Sequence, residues 1–207
     1  MKITTWLDRI TDESNLWLSA VQAEDSGDTG RAAALYLEDA SVSLEAGAAP
    51  RAALSCSCAA RCLLSVGALQ DSRTLYFEAG VTYSEIAASR FANSIREALW
   101  ALQRAYLCFL MAGDVGESER AKREFESLVR RADPFEGGSW FELPKVPAPN
   151  PGLPGGAPVP ESVRSEMDRF IMLRRTRKAE TGPAWDARRA REGGEALDQE
   201  SFAGKLG

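Results

Sequence analysis

The sequence predicts an all-α fold built from antiparallel helical hairpins that stack beside one another. Glycines interrupt the chain at intervals of 20 residues, at Gly27, Gly47 and Gly67, and again at Gly113. Between these breaks, apolar residues recur with the period of a helix. No stretch alternates apolar and polar residues at a period of two, and no Asn-Gly hairpin turn is present, so strands are not expected.

The bounds of the predicted helices follow from the residues at the breaks. Glycine tolerates the positive φ angle that often follows a helix, and an aspartate or serine can cap the next one. A polar join at 89–93 divides the longest interval, Pro50 stands at the start of the third helix, and Pro134 follows the sixth. The six predicted helices cover residues 12–26, 30–46, 50–66, 71–89, 92–112 and 116–132.

Each predicted helix carries an apolar stripe that should face the core. The fifth helix also has Trp100, Leu107 and Met111 on the face opposite its stripe. Because a helix that is apolar nearly all round is buried all round, we expect it to lie between other helices. The stripes consist of Ala33, Tyr36, Leu37, Ala40 and Leu44 in the second helix, Leu75, Ala79, Tyr83 and Ile86 in the fourth, Ile95, Leu99, Leu102, Tyr106, Phe109 and Leu110 in the fifth, and Ala121, Phe125, Leu128 and Val129 in the sixth.

A repeated motif connects these hairpins with a known family. Gly-Asp is followed by an alanine and, four positions after that alanine, by an aromatic residue, once at Gly27-Asp28 and once at Gly113-Asp114. On this motif, residues 13–135 resemble the tetratricopeptide-repeat family, and the long helices are similar to its SNAP-like branch. The following motif positions are Ala32, Tyr36 and Ala40 in the first copy and Ala121, Phe125 and Leu128 in the second.

The resemblance implies a short tetratricopeptide-like α-solenoid that takes part in protein–protein interactions. A two-helix unit of about 40 residues cannot bury its apolar face alone, so stacked neighbours complete its core. These units are longer than the family consensus of about 34 residues. From the residues alone, a compact bundle of the same six helices is the alternative.

Composition divides the chain into four parts. Residues 1–143 form the predicted helical-repeat domain, which holds 14 Lys and Arg against 21 Asp and Glu. Residues 144–160 contain seven of the ten prolines and predict an extended linker, or a ligand for a proline-binding domain. Residues 161–180 predict an amphipathic helix, and the polar residues 181–207 predict a disordered tail.

The predicted C-terminal helix is the candidate docking element. Its apolar residues recur at i, i+4, i+7 and i+8, and its basic residues come late, as the helix dipole favours. We expect this stripe to dock in a groove of the acidic body, in cis or in a dimer, with the cis form favoured by the tether. The predicted partner-binding or self-docking residues are Val163, Met167, Phe170, Ile171, Arg174 and Arg175.

Residue types that support catalysis or metal binding are scarce. The chain has no histidine, so Ser–His–Asp and Cys–His catalysis cannot arise from it alone. On a helix, Cys58 and Cys62 share one face while Cys56 points about 200° away from Cys58, so the three thiols cannot meet at one metal ion. Together with Cys108 they are predicted to be buried, reduced cysteines. We expect no cofactor, no metal and no enzymatic activity.

Further patterns bear on location and partners. No secretory signal and no apolar run of membrane-spanning length is visible, so we expect a cytoplasmic protein. The acidic body disfavours nucleic-acid binding. Trp140 and Phe141 predict a hydrophobic plug over the last helix, with a partner-binding motif as the alternative.

These observations predict a non-catalytic protein–protein interaction module, an adaptor or scaffold that binds a peptide or helix in a groove between its helices. Two alternatives come from other classes. One is peripheral membrane or nucleic-acid association through the basic C-terminal helix, and the other is an all-α enzyme with an unrecognised carboxylate site.

Overall fold

A computed structural model describes residues 15–91, 93–132, 158–177 and 179. Throughout these ranges the regular elements are α-helices, which confirms the predicted all-α class. The chain divides into two compact units, residues 1–170 and 171–207. The helices of the first unit are α1 (Leu16–Asp25), α2 (Thr29–Glu45), α3 (Ala49–Ser65), α4 (Leu69–Arg90), α5 (Ile95–Ala112) and α6 (Val115–Ala132). Residues 161–177 are also helical and are called α7.

Several sequence predictions concern residues outside the described ranges. These are most of the proline-rich linker, the pair Trp140 and Phe141, and the tail from residue 181 onward. The linker is described only at Pro158, Val159 and Pro160, where Val159 is buried.

The four glycines at the breaks end their helices in the same way. Gly27, Gly47, Gly67 and Gly113 have φ angles of 81°, 79°, 80° and 78°. After each glycine, the next backbone N–H donates to the carbonyl five residues earlier, as from Asp28 to Ala23. These two features define the Schellman motif, which satisfies carbonyls that a helix end leaves unpaired. The turns between helices are therefore short, and each helix returns beside its predecessor.

Hydrogen bonds across the first three turns tie consecutive helices together. The Tyr36 hydroxyl donates to Glu24 over 3.0 Å between α1 and α2, and the Ser72 hydroxyl donates to the Ala60 carbonyl over 2.7 Å between α3 and α4. Between α2 and α3, the Arg51 guanidinium donates to Asp39 over 2.6 Å. Each bond joins residues 12 apart in sequence. Consecutive helices also form the main tertiary contacts from α1 to α6.

Helices α1, α3 and α5 come together on one side of this array. The Arg61 guanidinium of α3 donates to both carboxylate oxygens of Glu24 in α1, over 2.8 and 2.9 Å. One turn earlier on α3, the Ser57 hydroxyl and the Cys108 thiol of α5 are 3.6 Å apart. The odd-numbered helices therefore present a continuous face.

Helices α4 and α5 approach each other closely at Gly80. A Cβ atom at Gly80 would lie 2.8 Å from Cε1 of Phe109, closer than real Cβ contacts. The Phe109 ring is 1% exposed and packs edge-on against Phe77, with the ring centroids 5.7 Å apart. Glycine at position 80 thus makes room for the aromatic ring that fills this part of the core.

The expectation that the fifth helix is buried on all sides is wrong. Trp100 and Ile95 are both 41% exposed, and Leu107 and Met111 are half-buried. Tyr106, which was assigned to the stripe, is half-buried as well. The reason is that α5 packs mainly on α4 and α6, and these neighbours cover only part of its circumference.

Gly80→Ala should destabilise the protein because the new methyl group meets the Phe109 ring. We expect a loss of about 1–3 kcal/mol in the free energy of unfolding, typical of overpacking. The matched control is Gly116→Ala in the first turn of α6, where the nearest atom is 3.5 Å away. This change should be neutral or stabilise the helix by about 0.5–1 kcal/mol. Urea titrations of both variants measure the difference, and equal stabilities would contradict the packing.

Candidate functional site

The first candidate site is the surface of α2 that receives residues 158–170. Val163 and Phe170 are both 0% exposed, so the apolar stripe of this segment is fully buried at these positions. The Arg169 guanidinium donates to a carboxylate oxygen of Glu45 over 3.2 Å. Near the start of α2, a Cβ atom at Gly30 would lie 3.5 Å from the Pro160 ring. The segment therefore packs against the helical body of its own chain.

The two ends of the contact show the direction in which the segment runs. Pro160 lies beside Gly30 at the start of α2, and Arg169 reaches Glu45 at its end. The chain from Pro160 to Arg169 thus follows α2 in the same direction. The contact combines a buried apolar stripe with an arginine–carboxylate pair at its edge.

The six residues predicted for docking have different environments. Val163 and Phe170 are fully buried, and Met167 between them is half-buried. The other three belong to the second compact unit. There, Ile171 is half-buried, Arg174 is 7% exposed and Arg175 is exposed. The neighbouring arginines were predicted together from their charge, but only one of them is buried.

An open cleft of about 490 Å³ lies beside the docked segment. A buried carboxylate oxygen of Glu166 accepts no hydrogen bond there and lies 3.6 Å from the Arg169 guanidinium. Among the described residues, no group of three or more His, Cys, Asp or Glu side chains is placed to hold a metal ion. The lining residues are Asp28, Gly30, Arg31, Ala34, Leu35, Glu38, Pro160, Ser162, Ser165 and Glu166.

Buried charge fixes α3 on the side of α2. Asp39 is 3% exposed and receives two hydrogen bonds from Arg51, over 2.6 and 3.1 Å, and one from the Ser55 hydroxyl. The hydrogen bonds with Asp39 raise the pKa of the Arg51 guanidinium above its ordinary value. A carboxylate held in this way is a structural element, because every partner belongs to the core contact between the two helices.

The cysteines lie in unreactive environments. Burial, and then the nearby Glu24 carboxylate, raise the pKa of the Cys62 thiol to about 12, and burial raises the pKa of Cys108 to about 11. The Cys56 thiol donates to the Leu75 carbonyl over 3.3 Å, on another side of α3. Because the thiolate is the nucleophile and the metal ligand, these raised pKa values disfavour both kinds of chemistry.

A second candidate site is the surface that α3 and α5 share. Leu54 is 41% exposed one turn before the half-buried Cys58, and Trp100 is 41% exposed on α5. The Trp100 ring packs edge-on against the buried Tyr83 at 5.5 Å, and the Arg104 guanidinium lies over it at 5.9 Å. We call Leu54, Cys58, Arg61, Trp100 and Arg104 the α3–α5 face.

Sequence analysis missed several of these residues. It assigned Trp100 to a buried surface, and it gave no role to Arg61 or Arg104. The charge of each helix offers a usable signal, because α3 has two arginines, Arg51 and Arg61, and no carboxylate in a chain of net charge −5. The pair between Glu45 and Arg169 has no local signal, since 124 residues separate the two.

Comparisons with protein-family models, with curated proteins and with solved structures find no match to this chain. The resemblance to tetratricopeptide repeats therefore stays a prediction. Within the described residues, no helix has the length and apolar character needed to cross a membrane.

Raising the pH above about 9 should lower the free energy of unfolding. The Cys62 thiol ionises near its ordinary value of 9.0 when unfolded and near 12 when folded, so the unfolded state loses its proton first. The contribution of the protonated Cys62 thiol to the free energy of unfolding is fully present below pH 9 and is lost as the pH rises toward 12. Denaturant titrations of wild type and Cys62→Ala at pH 8 and pH 10.5 or so test this. The free energy of unfolding should fall less between the two pH values in Cys62→Ala than in wild type. The control variant Ser65→Ala should show the same fall as wild type.

Phe170→Asp should release the docked segment, whereas Arg169→Ala should not. Burying a phenylalanine is worth about 1.5–3 kcal/mol, and an exposed ion pair contributes about 0.2–1 kcal/mol. Hydrogen exchange on the full chain measures the result. Amides 163–170 should lose their protection in Phe170→Asp and keep most of it in Arg169→Ala. A larger effect from Arg169→Ala would mean that charge, not apolar burial, holds the segment.

Proposed function

We propose that this protein is a non-catalytic interaction module whose helical array binds an amphipathic helix from a partner protein. The observation that carries the proposal is the docked segment. The array already accommodates an amphipathic helix of its own chain, with Val163 and Phe170 fully buried and Arg169 paired with Glu45. A surface that binds one such helix has the features needed for another, an apolar groove with a charged edge.

The packing of α1 to α6 supports a short tetratricopeptide-like solenoid in place of a compact bundle. In a solenoid, each helix contacts mainly its neighbours in sequence, which is the pattern that these helices follow. A compact six-helix bundle brings its first and last helices together around a single core. The contacts from α1 to α3 and from α3 to α5 then form one face of stacked hairpins. Stacked hairpins of this kind act as scaffolds for peptides and helices.

The free thiols support a cytoplasmic location for this module. All four cysteines are unpaired, and three of them are buried. Secreted proteins of small size tend to join their cysteines in disulfides, whereas cytosolic proteins keep them reduced.

The proposed groove can be tested with the helix of the protein itself. A fluorescein-labelled peptide of residues 158–177 is titrated against wild type and against full-length Phe170→Asp, in which the internal segment is displaced. A tethered segment competes at an effective concentration in the millimolar range, so the variant should bind the peptide at least about tenfold more tightly. A peptide that carries Asp at positions 163 and 170 is the control and should not bind.

The same two proteins, wild type and Phe170→Asp, also test whether a partner protein binds in this groove. In affinity purification from native cells, Phe170→Asp should capture more of a given partner protein than wild type does, because the groove is open in the variant. Equal peptide affinities for the two chains, or no binding to either at about 0.1 mM, a free energy near −5.5 kcal/mol, would contradict the proposal.

A further inference from the structure

We infer that the α3–α5 face is a second binding surface, and that its ligand is an acidic peptide segment of a partner protein. The inference deepens the proposed function and rests on it for the idea that the array binds peptides. It concerns a different face, however, and a ligand of different chemistry from the segment on α2.

The α3–α5 face combines exposed apolar surface with fixed geometry. Leu54 and Trp100 are each 41% exposed, and they lie on two helices that approach each other at Ser57 and Cys108. Trp100 makes an edge-on contact with Tyr83, and the Arg104 guanidinium lies over its ring. Rigid tryptophan and arginine side chains are the residue types that contribute most to binding energy at interfaces.

The charges on this face select the sign of the ligand. Helix α3 carries Arg51 and Arg61 and no carboxylate, and α5 carries two arginines and one glutamate, Glu97. Both arginines of α3 are already paired, Arg51 with Asp39 and Arg61 with Glu24. Glu97 of α5 pairs with Arg90. The exposed Arg104 forms no ion pair with any described residue, so its charge is available to a ligand.

The contact on α2 shows how this protein combines an apolar surface with a charged residue to hold a segment of chain. There, α2 offers an apolar surface and the carboxylate of Glu45, and the docked segment supplies buried apolar side chains and Arg169. The α3–α5 face offers the opposite arrangement, an apolar surface with an arginine at its edge. Its complement is a segment with apolar side chains beside carboxylates.

A nucleic acid also carries negative charge, but it fits this face less well. Phosphate backbones are bound by many Lys and Arg side chains together, and the chain has a net charge of −5. The partly exposed Leu54 also favours apolar side chains, which a peptide has and a phosphate backbone lacks.

The test uses the full-length chain and two labelled probe peptides of about 18 residues, roughly five helical turns. Both have leucine at helical i, i+3, i+4 and i+7 positions, and the remaining positions are glutamate and alanine in one and lysine and alanine in the other. Fluorescence polarisation should show binding of the glutamate peptide with a Kd of about 10–100 µM, and binding of the lysine peptide at least about tenfold weaker.

Three variants locate the binding. Trp100→Ala and Arg104→Glu should each weaken binding of the glutamate peptide about tenfold or more. Arg123→Glu makes the same charge change at an exposed position of α6 and should alter the Kd less than about twofold. Arg104 is exposed, so its variant should keep the melting temperature of wild type and tests the face even if Trp100→Ala does not fold.

The outcomes separate this inference from the proposed function. Binding of both peptides with equal affinity, or a glutamate peptide that binds Arg104→Glu like wild type, would overturn the inference. Binding that is strengthened by Phe170→Asp and unchanged by Trp100→Ala would place the glutamate peptide on α2, which overturns the inference and leaves the proposed function intact. Self-association of wild type that Trp100→Ala abolishes, measured by sedimentation without peptide, would assign the face to a second copy of this chain and also overturn it.

Discussion

The short turn that follows each glycine is the constraint on which the array depends. From Ser26 to Asp28 only three residues separate α1 from α2, and Gly27 takes the positive φ angle that closes the Schellman motif. A turn of this length allows the next helix to return beside the previous one, and the contacts between consecutive helices show that it does. The same motif recurs at the three other glycines with positive φ, so local backbone geometry directs the chain at these four turns, whereas the turn from α4 to α5 contains no such glycine. The hydrogen bonds between residues 12 apart cross three of these four turns.

The helices and the glycine turns can be predicted from the sequence because both depend on residues that are close together in the chain. Glycine spacing and apolar periodicity predicted six helices, and large residues of the predicted stripes, such as Tyr36, Tyr83 and Phe109, are buried. Periodicity identifies the apolar sides of a helix, but it does not reveal whether a neighbour covers each side. The exposure of Trp100 was missed for this reason. The candidate site on α2 was harder still, since the stripe of α7 was visible but its receptor surface depends on contacts between residues far apart in sequence, such as Glu45 and Arg169.

Acidic and basic residues are distributed unequally between α2 and α3, the helices that contribute to the two candidate surfaces. Helix α2 has three carboxylates and one arginine. One of the carboxylates, Asp39, is buried and paired with Arg51 of α3. Glu45 is left at the edge of the surface on which the docked segment lies. Helix α3 contributes only arginines. The α2 surface, with Glu45, and the α3–α5 face, with Arg104, are therefore proposed to bind segments of opposite charge, and this selectivity needs no difference in apolar area.

The strength of the internal contact limits what a partner has to supply. Two fully buried side chains, Val163 and Phe170, contribute roughly 3–6 kcal/mol before the cost of ordering the segment is subtracted. Fixing the backbone of the segment opposes docking through the loss of conformational entropy, so the docked state is less stable than this burial alone would make it. In the proposed function, a partner helix displaces this tethered segment and competes with its high local concentration. Under the proposed function, the docked segment thus sets a threshold of affinity that a ligand for the α2 surface must exceed, whereas no described segment of the chain covers the exposed Trp100 and Arg104 of the α3–α5 face.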